Sequence, residues 1–444
     1  MGTIDPRLEK AFQMVREGIA LPLIIEVQQP SQALQKEFES RGLRGARIQQ
    51  NLPFIYGMGT LTIARAIAGI SSVVRVSYDE PVYTRAVLPF ELVRLTQKVV
   101  IPLGDTITET GAPKLWEEGY TGKGVKIAVV DTGVSTSHDM LRSALRGSYS
   151  AVKGEDIEDM QSHGSWCASA ACGRKVLFNK GYAIGAAPEA DLYALKALDR
   201  TGAGQMSWVM DCIQKATNDF KAHIISMSLG SLFDNGGLDP VSRTVNHVVT
   251  EHGVIAVIAA GNSFGPMTIG SPGGAVTALT VAAYALKIPT KGSPSTFSSK
   301  GPTSTLVMKP DIAAPGGNLV SPGIGELITG AAAHGGFANM AGTSMATPQV
   351  AGCIACLKQA RPTLSRAEVE QLLMMSLRPK DTVMGYGPIR VDRLYQNIDK
   401  PTTSTAQFIN DIARLQVLPF VPFTLIPHPE TQSSQEIRLP AVVG

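Results

Sequence analysis

Lys126-Ile127-Ala128-Val129-Val130-Asp131-Thr132-Gly133 decides how this chain folds. An apolar, β-branched run ends on a carboxylate and a glycine. That pattern reads as a strand buried on both faces with a charged group at its carboxyl end. Further apolar runs predict strands over 191–197, 224–229, 254–260 and 275–283. Between them lie helical patterns at 163–172, 207–222 and 240–252, and two late helices are expected over 344–359 and 365–377. The helix at 207–222 carries Trp208, Val209, Cys212, Ile213, Ala216 and Phe220 at helical period. Strands alternating with helices predict an α/β fold, a doubly wound and mostly parallel sheet. Ligands in such sheets bind beyond the carboxyl ends of the strands, which draws attention to Asp131.

Upstream the texture differs. Residues 21–84 read as a small α+β module of split βαβ type. Leu23-Ile24-Ile25-Glu26-Val27 is a strand, Ser31 caps a helix that stops at Gly42, extended stretches fall near 47–54 and 73–78, and 62–68 is helical. Residues 1–20 form a leading segment, 85–104 a connector, 105–397 the main domain and 398–444 a proline-spotted extension. In that extension the run at 415–423 is too apolar for a free tail and is expected to lie on the main domain or on a partner.

The 444 residues allow two or three domains, and 44% hydrophobic against 17% charged residues excludes a disordered chain. A net charge of +3 gives no argument for nucleic acid or an acidic membrane as partner. No apolar run approaches a membrane span. Met1 to Arg7 does not open a signal peptide, so the chain is expected inside the cell if complete and outside it if a signal has been removed. The five cysteines, Cys167, Cys172, Cys212, Cys353 and Cys356, fall in segments read as buried helices. There they pack as small hydrophobes. Cys353 and Cys356 have redox spacing but sit in mid-helix, away from the helix start that stabilises thiolates.

Three motifs carry the chemistry. Asp131 ends a strand; His163 opens the small-residue stretch His163-Gly164-Ser165; Ser344 opens a helix in Gly342-Thr343-Ser344-Met345-Ala346-Thr347-Pro348, with Pro348 expected in the first turn. A serine hydroxyl becomes a nucleophile only beside a base that a third group orients. Taken alone, each has a plain reading: a strand-end turn, a satisfied histidine, a helix cap. Asn262, in Ala259-Ala260-Gly261-Asn262, ends another strand, where its amide is placed to donate to a developing oxyanion or simply to sit in a turn.

With these motifs the chain resembles the subtilisin-like serine peptidases over about 105–397. Further matches are Gly185-Ala186-Ala187-Pro188, Ser226-Met227-Ser228-Leu229-Gly230, Phe297-Ser298-Ser299-Lys300-Gly301-Pro302 and Lys309-Pro310-Asp311-Ile312-Ala313-Ala314-Pro315-Gly316. The resemblance implies a triad of Asp131, His163 and Ser344, with Asn262 and the Ser344 amide as oxyanion donors. It implies that Ser228, Leu229 and Gly230 form an edge that pairs with a polypeptide substrate, and that Gly270 lines the main specificity pocket. It also implies that residues 21–84 are an inhibitory, ferredoxin-like propeptide, cut between about 84 and 104 by the enzyme itself. The expected function is a broad-specificity serine endopeptidase made as a zymogen, with polypeptides and its own propeptide as partners.

Departures from the family pattern are visible. Trp166 stands where many relatives have a second histidine, and Gln349 where many have one after the nucleophile. The family's calcium loop is not recognisable in 173–185, and its distant aspartate falls at Met140, so no metal ligand is assigned; the expectation is no required cofactor, with structural calcium left open. The acidic run Glu155, Asp156, Glu158 and Asp159 reads as a solvated loop. One rival reading is a silent member of the same fold that only binds peptides; another is a nucleotide-binding enzyme, for which the chain has no glycine-rich phosphate loop after a strand.

Overall fold

The computed structural model describes residues 2–49, 52–84, 97–178, 181–231, 236–321 and 324–400. The expected processing region over 85–96 and nearly all of the C-terminal extension, including 415–423, lie outside the described residues.

Two sheets organise the described residues. The first belongs to the N-terminal module, whose elements are β1 (Thr3–Ile4), α1 (Pro6–Gln13), β2 (Leu21–Val27), α2 (Gln32–Ser40), β3 (Arg44–Ile48), β4 (Phe54–Gly59), α3 (Leu61–Ala68) and β5 (Val73–Tyr78). The strand order is β1-β5-β2-β4-β3. From β2 to β5 this is the ferredoxin-like βαββαβ arrangement. Ser31 caps α2, its hydroxyl accepting from Leu34 N at 3.1 Å. The stretch expected near 47–54 straddles the end of β3 and the start of β4. Residues 3–13, read from the sequence as a segment apart, add a parallel strand to β5 and bury Leu8 and Phe12 with Ile25, Phe38 and Ile67.

After β6 (Pro81–Thr84) and β7 (Gln97–Pro102), helices α4 (Leu103–Thr110) and α5 (Ala112–Glu117) lead into the main domain. Its central sheet holds β8 (Lys126–Asp131), β9 (Leu145–Ser150), β12 (Asp191–Lys196), β14 (Ile224–Met227), β16 (Ile255–Ala259), β17 (Leu279–Tyr284) and β18 (Ile312–Pro315). The order is β18-β17-β16-β14-β8-β12-β9, and every pairing is parallel. The expected strand at 275–283 begins at Leu279, since Ala275 and Ala278 close turns before it.

The alternation along β8 explains its unbroken apolar run. Ile127 and Val129 face a core shared with α6 (His163–Cys172) and α9 (Thr343–Ala360). Ala128 and Val130 face the other core, with α7 (Met206–Gln214) and α8 (Pro240–His252). The helix expected at 207–222 is α7 followed by a π-helical turn over Lys215–Asp219. Helices α10 (Arg366–Ser376) and α11 (Val391–Tyr395) close the domain.

The remaining strands border this sheet. Strands β10 (Val176–Phe178) and β11 (Gly181–Ala183) form a hairpin. Strands β19 (Asn318–Ser321), β20 (Ile324–Ala331) and β21 (Phe337–Met340) form a ribbon. Strand β7 runs parallel to β20, so residues 97–102 of the expected connector are part of the main domain. Strands β13 (Ala203–Gln205) and β15 (Leu229–Gly230) flank β6 and pair with it antiparallel.

The module sheet packs on α7. Ile24, Phe54 and Tyr56 share a core with Met206, Met210 and Ile213. Arg47 pairs with Asp211 at 2.8 Å, and Asp79 accepts from Ser207 N at 2.9 Å, meeting the amide end of α7.

Candidate active site

Asp131 ends β8 between β12 and β14, where successive strands leave to opposite sides. That is the switch point at which open α/β sheets bind ligands. His163 is the first residue of α6, and its Nδ1 lies 2.7 Å from Asp131 Oδ1. Both side chains are fully buried, and the same carboxylate oxygen accepts from Thr132 N at 2.8 Å. His163 Nε2 and Asp131 Oδ2 have no hydrogen-bond partner. Gly164 permits the close approach of α6 to β8, since a Cβ there would meet Gly133 O at 2.1 Å.

Ser344 is the second residue of α9. Its hydroxyl donates to Ser228 O at 3.0 Å. Cys167 links the two helix starts: its Sγ is 3.8 Å from His163 Nδ1 and 3.6 Å from Ser344 O. Burial, and next the Asp131 carboxylate, hold the Cys167 thiol far above its ordinary range, so it stays protonated. Pro348 is inside α9 rather than in its first turn. The Ser344 carbonyl therefore has no amide donor four residues on, and takes Ser228 Oγ at 3.1 Å instead.

Asn262 Oδ1 accepts from Thr343 N at 3.0 Å and Thr343 Oγ1 at 2.9 Å, which ties the amide to the residue before Ser344. Gly270 N donates to Ala260 O at 3.2 Å, and Ser231 N to Ser271 O at 2.9 Å. The strand-end loop is thereby held beside Ser228, Leu229 and Gly230. The edge at Leu229 and Gly230 is occupied by β6, with Thr84 opposite Leu229 and Tyr83 opposite Gly230. On the far side of β6, Tyr83 faces Ala203 and Val82 faces Gly204. Val82 is buried in one core with Leu198, Met206 and Leu229.

The other features have partners. Trp166 is buried against Gly330 and donates to Ile328 O at 3.2 Å. His138 joins Gly336 O at 2.8 Å and accepts from Met140 N at 3.1 Å; burial lowers its pKa. Glu155 pairs with Lys196 at 3.3 Å and Arg200 at 3.2 Å, and Glu158 accepts from Thr136 Oγ1 at 2.8 Å. All five cysteines are free and buried, and burial pushes the Cys353 thiol up to about 12.

A calcium ion does not fit at the family's position. Met140, where the aspartate is expected, is fully buried. Arg174 already directs its guanidinium at three carbonyl oxygens, those of Cys172 at 3.2 Å, Ala190 at 3.2 Å and Pro188. These carbonyls thus have a fixed positive charge as their partner and are not free to gather a cation.

Residues 122–400 match the model of the subtilase family. The chain belongs to the subtilase family. Similar proteins include subtilisin E of Bacillus subtilis, 35% identical over 280 residues, which cover 62% of this chain and 65% of that protein. Serine protease AprX of the same species is 37% identical over 295 residues, covering 61% of this chain and 65% of the relative. Alkaline elastase YaB of a Bacillus species is 35% identical, with 63% and 65% covered. The stretch shared with this subtilase therefore spans 65% of the length of these relatives. No described helix is long and apolar enough to cross a membrane.

Sequence reasoning did not find Cys167, Thr343 and the Ser228 hydroxyl as parts of the site. Each acts by bonding segments that are distant in the chain, and local sequence carries no signal of that. Pro348 is the sixth residue of α9 and the fifth even from the expected start at Ser344, so it falls past the first turn in which it was expected.

Proposed function

We propose that this subtilase is a serine endopeptidase of broad specificity, made as a zymogen that cuts itself. The observation that carries the reading is the buried His163–Asp131 pair, with His163 Nε2 unpartnered and Cys167 in contact with both the imidazole and the Ser344 carbonyl. Rotation of the Ser344 side chain from Ser228 O toward His163 completes the triad. Such contacts are often open before substrate binds.

The Ser344 oxygen attacks the peptide carbonyl carbon while its proton passes to His163 Nε2. Asp131 holds the ring through Nδ1 and stabilises the charge it gains. The tetrahedral oxyanion is met by the Ser344 amide and the Asn262 side chain. Collapse breaks the C–N bond, and His163 returns the proton to the leaving amine. Water, deprotonated by the same ring, then cleaves the acyl-enzyme and restores Ser344.

The N-terminal module is the inhibitor. Strand β6 lies between β13 and β15 as a substrate strand would, backbone pairing giving affinity and buried side chains selectivity. Thr84 N donates to Gly202 O at 3.1 Å, and Thr84 pairs with Leu229, the residue after Ser228. The bond cut in self-processing lies shortly beyond Thr84. A fluorophosphonate probe is expected to label Ser344 in the processed protein; a chain that neither processes itself nor takes the label would instead favour a peptide-binding module.

A further inference from the structure

Asp159 lies four residues before His163, in the acidic run, and is fully buried. Among the described residues no cation pairs with it. Its Oδ1 accepts from Thr132 Oγ1, Gln161 N and Ser162 N, each at 2.9 Å. Its Oδ2 accepts from Ser165 N at 2.8 Å and Ser165 Oγ at 2.6 Å. A buried carboxylate costs several kcal/mol unless such bonds compensate it.

These bonds surround the candidate base and its orienting carboxylate. Thr132 follows Asp131, and its hydroxyl, while donating to Asp159, accepts from Gly164 N at 2.9 Å. Gln161, held by Asp159 through its amide, sends Oε1 to His163 N at 3.0 Å. Ser162 has φ +80°, a conformation that costs a serine about 1–3 kcal/mol and persists only where its surroundings hold it. Asp159 grips the Ser162 amide, and Ser162 Oγ accepts from Ala333 N at 3.0 Å. The backbone on both sides of His163 is thereby tied to the residue after Asp131.

We propose that Asp159 is the positioning residue of this site, fixing the backbone of His163 against that of Asp131 so that ring and carboxylate meet. It touches neither substrate nor reacting atoms. The proposal rests on the reading of Asp131, His163 and Ser344 as the triad. An asparagine cannot replace Asp159. With its NH2 at the Oδ1 position it faces the amides of Gln161 and Ser162, and at the Oδ2 position the amide of Ser165. Either way a buried donor meets a donor.

The test uses the full-length chain and follows the rate of self-processing, kcat and KM of the processed enzyme, and the thermal midpoint. Asp159→Asn is expected to slow processing and lower kcat about 100-fold, the cost of misplacing a catalytic group by about 1 Å, with KM within about twofold of wild type. Thr132→Val, which deletes the relay hydroxyl at constant shape, is expected to lower kcat about tenfold, and Thr132→Ser to recover most of it. A folded Asp159→Asn chain with wild-type kcat would overturn the proposal. If that variant does not fold, the Thr132 pair decides: equal kcat in Thr132→Val and Thr132→Ser would overturn it as well. Failure of the wild-type chain to process itself or to label at Ser344 would instead sink the triad reading beneath it.

Discussion

Pro348 stands four residues after Ser344 in α9, and its ring nitrogen cannot donate to the Ser344 carbonyl. Ser228 Oγ fills that gap at 3.1 Å, while Ser228 O accepts the Ser344 hydroxyl at 3.0 Å. The residue at the proposed substrate edge and the candidate nucleophile are thus bonded twice. Ser228→Ala leaves the buried Ser344 carbonyl with only the weak Cys167 thiol donor and is expected to cost about 1 kcal/mol. Urea unfolding in a Ser344→Ala background, where self-digestion is absent, checks this; an unchanged midpoint would contradict it.

Asn262→Ala removes the proposed oxyanion donor and with it the acceptor of two bonds from Thr343. The expected loss in kcat is about 100- to 1000-fold, the range found on removing such a donor in a subtilisin. KM should change little, since the bond forms as charge develops. Steady-state kinetics on a peptide substrate distinguishes this from a binding role, in which KM would rise instead.

The module docks through carboxyls that resist ionisation. Burial raises Glu80 to about 7, against the opposing pull of Arg7, and Asp239, Asp5 and Asp79 push it the same way. Burial raises Asp79 and Glu26 too, against Ser207 and Arg243 respectively. A carboxyl whose pKa is higher docked than free is more protonated in the docked state. For the part of this shift that burial against the main domain causes, docking is strongest below the ordinary carboxyl value of 4.5 and weakens as pH rises to about 7. Dissociation of the cut module is expected to accelerate over that interval, and Glu80→Gln to flatten the dependence. Dissociation that slows with rising pH would contradict the sign.

Arg174 clamps the carbonyls of Cys172, Pro188 and Ala190. Arg174→Met should destabilise the main domain by about 2–3 kcal/mol, the scale of removing a charged donor from carbonyls in a partly buried place. Chelator should leave the wild-type thermal midpoint unchanged. A midpoint that climbs with added calcium would show ion binding to the folded state.

Much of this was legible in the sequence. The unbroken apolar run of β8 announces burial on both faces, and Asp131 follows from where that strand stops. The ferredoxin-like module was readable from Ser31 and the strand at Leu23, because caps and alternation are local. Strand β1 was not, since its two residues acquire meaning only beside β5. Nor was β7, whose partner β20 lies more than 200 residues on. Asp159 looked like one member of a solvated acidic loop; its burial depends on Thr132 and Ser165 folding over it.

The central claim is that Ser344 is the nucleophile and the N-terminal module its first substrate. Intact mass of the purified chain, before and after incubation, tests it against Ser344→Ala. Wild type is expected to release a fragment ending shortly beyond Thr84, and the Ser344→Ala chain to remain uncut there. Equal trimming of both chains, at the same bond and in the absence of other peptidases, would contradict the account.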